Sequence, residues 1–147
     1  MEKILISACL VGENCKYNGG NNLNPSIEAL LEKYDLIPFC PEVEGGLPIP
    51  RDPSEVKGDN VVMKRKNGSI KDVTYEFNKG AKKALMLCLY LDIKIAVLKE
   101  RSPSCGTHQI HDGSFNETLI DGMGVTAKLL KENGIKVYSE NEIDKLL

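Results

Sequence analysis

Lys3-Ile-Leu-Ile-Ser-Ala8, followed directly by Cys9 and then by Gly12-Glu-Asn-Cys-Lys-Tyr-Asn-Gly-Gly20, is the stretch on which the fold turns. A short apolar run, partly β-branched and bounded by turn-forming residues, has the character of a buried strand. Asn24-Pro25-Ser26 then supplies a helix start. Ile27, Leu30, Leu31 and Tyr34 follow at spacings of three and four, which places them on one helical face. Strand, glycine-rich loop and helix together form the opening of a βα unit.

The pattern recurs down the chain. Asp35-Leu-Ile-Pro-Phe39 is a second apolar run, and it too ends in a cysteine, within Cys40-Pro41-Glu42. Residues 54 to 73 form a small excursion, in which Val61-Val-Met-Lys64 and Ser69-Ile-Lys71 bracket Asn67-Gly68, a strong hairpin signal. Asp72 or Thr74 can cap a long helix from Tyr75 to Leu91, apolar enough in its second half to be buried, with Cys88 inside it. Ile93-Lys-Ile-Ala-Val-Leu98 is a third strand, and the stretch after it, opening Lys99-Glu-Arg-Ser-Pro-Ser-Cys-Gly106, is irregular until about Gly122. Loops of that length inside compact domains usually carry function. Val125 to Asn133 is predicted as a helix ending at Gly134, Ile135 to Tyr138 as a fourth strand, and Glu140 to Leu147 as a closing helix. No repeat or linker interrupts the order, so one domain over residues 1–147 is expected.

Alternation of this kind predicts an α/β fold: an open, mainly parallel sheet with helices on both faces, Rossmann-like or flavodoxin-like, carrying a small β-hairpin insertion. In such sheets ligands bind beyond the carboxyl ends of the strands, where the strand order reverses. Cys9, Cys40 and Cys105 all lie in segments leaving strand carboxyl ends. The topology therefore gathers three thiols, far apart in sequence, on one rim.

Composition limits what such a rim could serve. The 147 residues carry 19 basic and 21 acidic side chains, a formal charge of -2, and the charges are dispersed along the chain. That argues against a nucleic-acid polymer or an anionic membrane as partner and in favour of a small molecule. The apolar run at the N-terminus is too short for a signal segment, and nothing later approaches the ~18 apolar residues of a membrane span. A cytoplasmic protein is expected. Its five cysteines are then more naturally packing, metal-binding or reactive thiols than a disulfide framework.

Cys88, in mid-helix, suits core packing. The rim cysteines have Gly and Pro neighbours, which indicates loop backbone instead of an apolar interior. Cys15 is open between a fourth ligand, a resolving thiol and a plain loop residue. Three converging thiolates would need a cation, and soft thiolate donors select zinc, copper(I) or iron-sulfur clusters. Three cysteines on a four-iron cluster would leave one iron open, turning an electron carrier into a Lewis acid. Glu42 and Glu44 follow Cys40, and Ser102 and Ser104 precede Cys105, so an acid/base and hydroxyl donors are available on the same rim. Arg51, Lys99 and Arg101 could offset negative charge there or hold an anionic substrate, or serve as ordinary surface cations.

These segments carry a family resemblance. Ser7-Ala-Cys-Leu-Val-Gly-x-x-Cys-Lys-Tyr-Asn-Gly-Gly20, Pro38-Phe-Cys-Pro-Glu-Val-Glu-Gly-Gly-Leu-Pro-Ile-Pro-Arg51, Lys99-Glu-Arg-Ser-Pro-Ser-Cys-Gly106, Asp112-Gly-Ser-Phe115 and Gly122-Met-Gly-Val-Thr126 resemble, in order, the motifs of the thiouracil desulfidase (TudS-like) family, long a domain of unknown function. The resemblance implies a cytoplasmic enzyme with a [4Fe-4S] cluster held by Cys9, Cys40 and Cys105 and a fourth iron free to take sulfur from 2-thiouracil or a related thiolated nucleobase. It places Glu42 and Ser102 at catalytic positions, the first relaying protons or preparing water, the second orienting substrate. Net chemistry would exchange sulfur for oxygen without redox change. Asn18 stands where the family more often shows Asp, and Lys16 where Arg is common.

Three rival readings follow from the residues. Cys9 opens a loop like the C-x5-R phosphate cradle, but Cys15 stands where the arginine fork should be. Cys105-x-x-His108-x-x-His111 offers three possible zinc ligands. A zinc- or cluster-containing nucleobase-binding module without turnover is the third.

Overall fold

The computed structural model describes residues 1–147. Its first strand, β1 (Glu2–Ser7), buries Ile4, Leu5 and Ile6 almost completely, as a central parallel strand covered on both faces must. A 3-10 turn (Ala8–Val11) and a loop lead to α1 (Ile27–Leu31) and to β2 (Tyr34–Phe39). Beyond β2 come a four-residue helix, α2 (Pro41–Glu44), three short strands, β3 (Ser54–Lys57), β4 (Asn60–Lys64) and β5 (Ile70–Asp72), and the long α3 (Thr74–Leu91). β6 (Ile95–Leu98), a small hairpin of β7 (Gln109–His111) and β8 (Leu119–Asp121), α4 (Val125–Glu132), β9 (Lys136–Ser139) and a closing 3-10 helix (Glu140–Leu146) complete the chain.

β1 pairs in parallel with β2 on one side and β6 on the other, and β6 pairs in parallel with β9, giving the order β2-β1-β6-β9. The predicted parallel sheet is therefore present, with its reversal of order between β1 and β6. Ile4 and Ile6 pack on one face against Ile27, Leu30, Ile143 and Leu146. On the other face, Leu5, Ala96 and Leu98 meet Ala84, Cys88, Ala127 and Leu130 of α3 and α4. Cys88 is a core residue, 1 % exposed, and burial pushes its thiol up to about 11.

Several local expectations are revised. Tyr34 opens β2 instead of extending the first helix: its register opposite Glu2 puts it in the sheet, and its hydroxyl donates to Leu146 O at 2.9 Å. The hairpin across Asn67-Gly68 gains a third antiparallel strand, β3, joined to β4 through a turn in which Gly58 has φ +63°. Val61, Met63 and Val73 of this unit pack on Leu47 and Phe77, which seats it against the start of α3. The stretch from Lys99 to Gly122 is not wholly irregular, because β7 and β8 pair antiparallel within it. The last helix is 3-10, begun by a capping box of Ser139 and Glu142. No helix is long and apolar enough to cross a membrane.

Candidate active site

Three loops meet beyond the carboxyl ends of β1, β2 and β6, and each is fixed by local backbone chemistry. Cys9 sits in the 3-10 turn after β1, which Gly12 closes with φ +94° and an N–H donated to Cys9 O at 3.2 Å. Cys40 precedes α2, whose first position is Pro41. α2 is pressed onto α3 through two glycines: a Cβ on Gly80 would come 1.9 Å from Pro41 O, and one on Gly45 2.0 Å from Glu76 O. Cys105 lies in a turn closed by Gly106 N–H to Ser102 O, 2.8 Å. The opening N–H groups of α4, which any helix must satisfy somewhere, hold this turn: Val125 donates to Pro103 O at 3.0 Å and Thr126 to Ser104 O at 2.8 Å. Gly124 permits the approach, since a Cβ there would fall 2.4 Å from the Ser104 carbonyl carbon.

The thiols converge, and a fourth joins them. Cys15, left open by the sequence, is 8 % exposed and packs in one cluster with Cys9 and Cys40, its carbonyl oxygen 3.8 Å from Cys40 Sγ. The contacts shift the thiols unequally. Cys9 is held down to about 7, chiefly by the Cys15 bond against the opposing effect of burial, with help from Asn22, whose Nδ2 donates to its sulfur at 3.4 Å, and from Lys99. Cys40 is likewise held down to about 7, again chiefly by Cys15 against burial, with the Val43 N–H and Arg51 assisting and Glu42 opposing. Cys15 itself is pushed up, by Cys40 and Cys9 beside it and by burial. Cys105 is almost wholly buried and pushed up to about 12 by that burial, partly offset by bonds from Ser7 and Ser104.

Beside the thiols runs a polar chain. Arg51 has a side chain only 4 % exposed, and its Nε donates to Glu42 Oε1 at 3.1 Å. Its Nη2 donates to Cys15 O at 3.0 Å, so one guanidinium ties the carboxylate to the first loop. Ser104 Oγ donates to Glu42 Oε2 at 2.9 Å and also lies 3.6 Å from Cys105 Sγ. Ser102 Oγ accepts the backbone N–H groups of Ser104 and Cys105 at 3.2 and 3.1 Å and stands 3.0 Å from Ser104 Oγ. A hydroxyl has one proton to give. With that of Ser104 directed at Glu42, Ser102 donates to Ser104, and the order is Ser102 to Ser104 to Glu42.

Other candidates are placed elsewhere. Glu44 is exposed, and neither histidine is gathered with Cys105. His108 Nε2 instead bonds Glu142 at 2.7 Å, which removes the compact zinc arrangement. Lys99 pairs with Glu140 at 2.9 Å while its charge reaches Cys9; Arg101 is exposed. Nothing in the local spacing marks Glu100, a buried carboxylate accepting the backbone N–H groups of Arg101, Thr107, His108 and Gln109 and the Thr107 hydroxyl. It shapes the loop that carries Cys105. Asn22 and Ser7 were also missed; both are small polar residues whose partners lie on other strands or loops, which local spacing does not reveal.

No three His, Cys, Asp or Glu side chains form a cage around a single ion. The donor set nonetheless fits an iron-sulfur group: soft thiols on one rim, with N–H and O–H groups from Asn22, Val43 and Ser7 directed at sulfur, the kind of contact that tunes such clusters.

Fold and thiol-lined rim thus define an α/β protein suited to sulfur-ligated cofactor chemistry, and comparison with known proteins narrows this. The family described as 2-thiouracil desulfurase matches residues 4–142, and the chain belongs to that family of desulfidases. The solved structure of a [4Fe-4S]-dependent thiouracil desulfidase, TudS, is 44% identical and superposes with a TM-score of 0.91 over 99% of this chain and 95% of that one. Uncharacterized protein YbbK of Bacillus subtilis (strain 168) is 39% identical over 150 residues, spanning 98% of this chain and 99% of that protein.

Proposed function

We propose that the chain, as one domain over residues 1–147, is a cytoplasmic, non-redox desulfidase that converts 2-thiouracil or a related thiolated nucleobase to the oxo form and releases sulfide. The observation that carries this is the meeting of Cys9, Cys40 and Cys105 with Glu42 at the reversal of strand order, in a chain of this family. Cys9, Cys40 and Cys105 would hold a [4Fe-4S] cluster, whose open iron supplies Lewis acidity toward a thiocarbonyl sulfur. The overall exchange balances as thiocarbonyl plus water giving carbonyl plus hydrogen sulfide, with no change of oxidation state.

The chain's own groups account for the proton movements. Glu42 Oε2 takes a proton from the attacking water and returns it toward the departing sulfur. Arg51 fixes the other oxygen, so the carboxylate keeps one orientation through both transfers. Ser104 and Ser102 hold a directed pair of hydroxyls beside Oε2, and in this reading Ser102 orients the substrate.

The test is anaerobic preparation with iron and acid-labile sulfide assays, followed by measurement of sulfide released from 2-thiouracil. Iron and sulfide in a four-to-four ratio, turnover, and loss of both on Cys9→Ser, Cys40→Ser or Cys105→Ser are expected. Zinc without labile sulfide would overturn the proposal, and a cluster without turnover on any thiolated nucleobase would leave a binding module instead.

A further inference from the structure

Cys15 has no place in the three-ligand proposal, yet it is buried in one cluster with two of the three ligands, Cys9 and Cys40. Cys40 is the less buried member of that trio, whereas Cys9 and Cys15 are each 8 % exposed. A cavity of about 230 Å3 opens onto this pair, lined by Cys15 and Cys40 together with Phe39, Val43 and Ile49. Small solutes thus have a path to Cys40 that ends against Cys15. The two residues are also tied through the backbone, since Cys40 Sγ lies 3.8 Å from Cys15 O.

We propose that Cys15 is a resolving thiol, which forms a reversible disulfide with Cys40 when the site is without its cluster and a low-molecular-weight disulfide is present. The chemistry runs in two exchanges. Cys40 sulfur attacks one sulfur of the small disulfide, forming a mixed disulfide and releasing one thiol. Cys15 sulfur then attacks Cys40 Sγ, closing the Cys15–Cys40 bond and releasing the second thiol. Two electrons pass from the protein thiols to the small disulfide, and the two protons leave on its reduced halves. Closing the bond brings the two sulfurs to about 2.05 Å. Cys15 sits in a loop bounded by Gly12 and Gly19, both at positive φ, and its N–H donates to Glu13 O at 2.9 Å. Such a disulfide would keep Cys40 from irreversible oxidation, and any thiol reductant would restore it. The contact among the thiols stands independently of the desulfidase reading, whereas the purpose of sparing a cluster ligand rests on it.

The experiment uses the full chain, reduced and cluster-free, treated anaerobically with oxidised glutathione and mapped by digestion and mass spectrometry. A Cys15–Cys40 linked peptide that disappears with dithiothreitol is expected. In Cys15→Ser, glutathione should remain attached to Cys40; in Cys88→Ala the linked peptide should form as in the wild type. A stable glutathione adduct on wild-type Cys40, a link of Cys9 to either partner as the main product, or no oxidation of the pair would overturn the proposal. Should Cys15→Ser fail to fold, the wild-type map alone decides. Cluster reconstitution before and after the cycle is scored separately: a reversible disulfide in a chain that never takes up iron would defeat the desulfidase reading and leave the exchange chemistry standing.

Discussion

Ser104 Oγ donates to Glu42 Oε2 at 2.9 Å, joining the Cys105 loop to α2 across 62 positions of sequence. The bond crosses the switch in strand order, and its two ends are each next to or near a proposed cluster ligand. Ser104 therefore has two jobs that can be separated by measurement. Ser104→Ala should leave iron and labile sulfide unchanged, because the backbone bonds from α4 to residues 103 and 104 survive. The kcat should fall by about 10²-fold, the lower range for losing one group in a proton path, with KM nearly unaltered. Ser102→Ala removes the acceptor of two N–H groups and should also lower stability, by about 1–2 kcal/mol in denaturant titration. Equal effects of both variants on stability alone would count against the directed chain.

Gly80 offers a test of how the scaffold places Glu42. A methyl group there would lie 1.9 Å from Pro41 O, and backbone on both sides leaves no flexible side chain to yield. Gly80→Ala should therefore push α2 from α3 at a cost of about 1–3 kcal/mol. A helix-propensity gain of up to ~1 kcal/mol opposes this and is too small to cancel it. Thermal unfolding measures the loss, and iron content should fall with it because Cys40 moves with α2. A more stable variant with full iron uptake would contradict the close packing.

Glu100 should be the least replaceable acidic residue outside the rim. Burial pushes its carboxyl up, but the N–H groups of His108, Gln109 and Arg101 and the Thr107 hydroxyl outweigh burial and hold it below the ordinary range. Glu100→Gln turns an acceptor of several donors into a group with two donors of its own. A loss of about 2–4 kcal/mol is expected, measured by urea unfolding, with faster amide exchange at residues 101 and 107–109 as the local signature.

The sequence revealed the parallel sheet and its rim because β1 and β6 are apolar runs read without reference to anything distant. It revealed Cys9, Cys40 and Cys105 for the same reason: each follows a strand end. Cys15 was undecided because its neighbours are loop residues, and only the folded path brings it between Cys9 and Cys40. Arg51 was open between a charge partner on the rim and an ordinary surface cation, because its burial depends on α2 and the first loop closing over it. Ser104 and Ser102 are two positions apart and chemically alike, so the direction of their hydrogen bonds had to come from the folded contact of Ser104 with Glu42. The β7–β8 hairpin was hidden because it contains too few residues for an alternation to show. Its stability comes from the Glu100 carboxylate and from Glu55, which accepts the N–H groups of Gly113 and Phe115 in the intervening turn.

Glu142 gives the clearest dependence on pH away from the thiols. Its carboxyl is held down to about 2, from a usual 4.5, first by the Ser139 N–H of the capping box, against burial, and then by His108 and Lys145. A carboxyl depressed in the folded state binds its proton more readily when unfolded, so its stabilising contribution is complete above about pH 5 and fades as pH falls toward 2. Its contribution should be about 1–2 kcal/mol, since Lys145 and His108 are exposed and screened and the cap is the firmer part. Glu142→Gln keeps an acceptor for Ser139 but loses the charge. Urea unfolding of the two proteins at pH 7 and at pH 3 should show the gap between them narrowing at the lower pH. A gap that stays constant would mean that Glu142 acts in the cap through its shape alone.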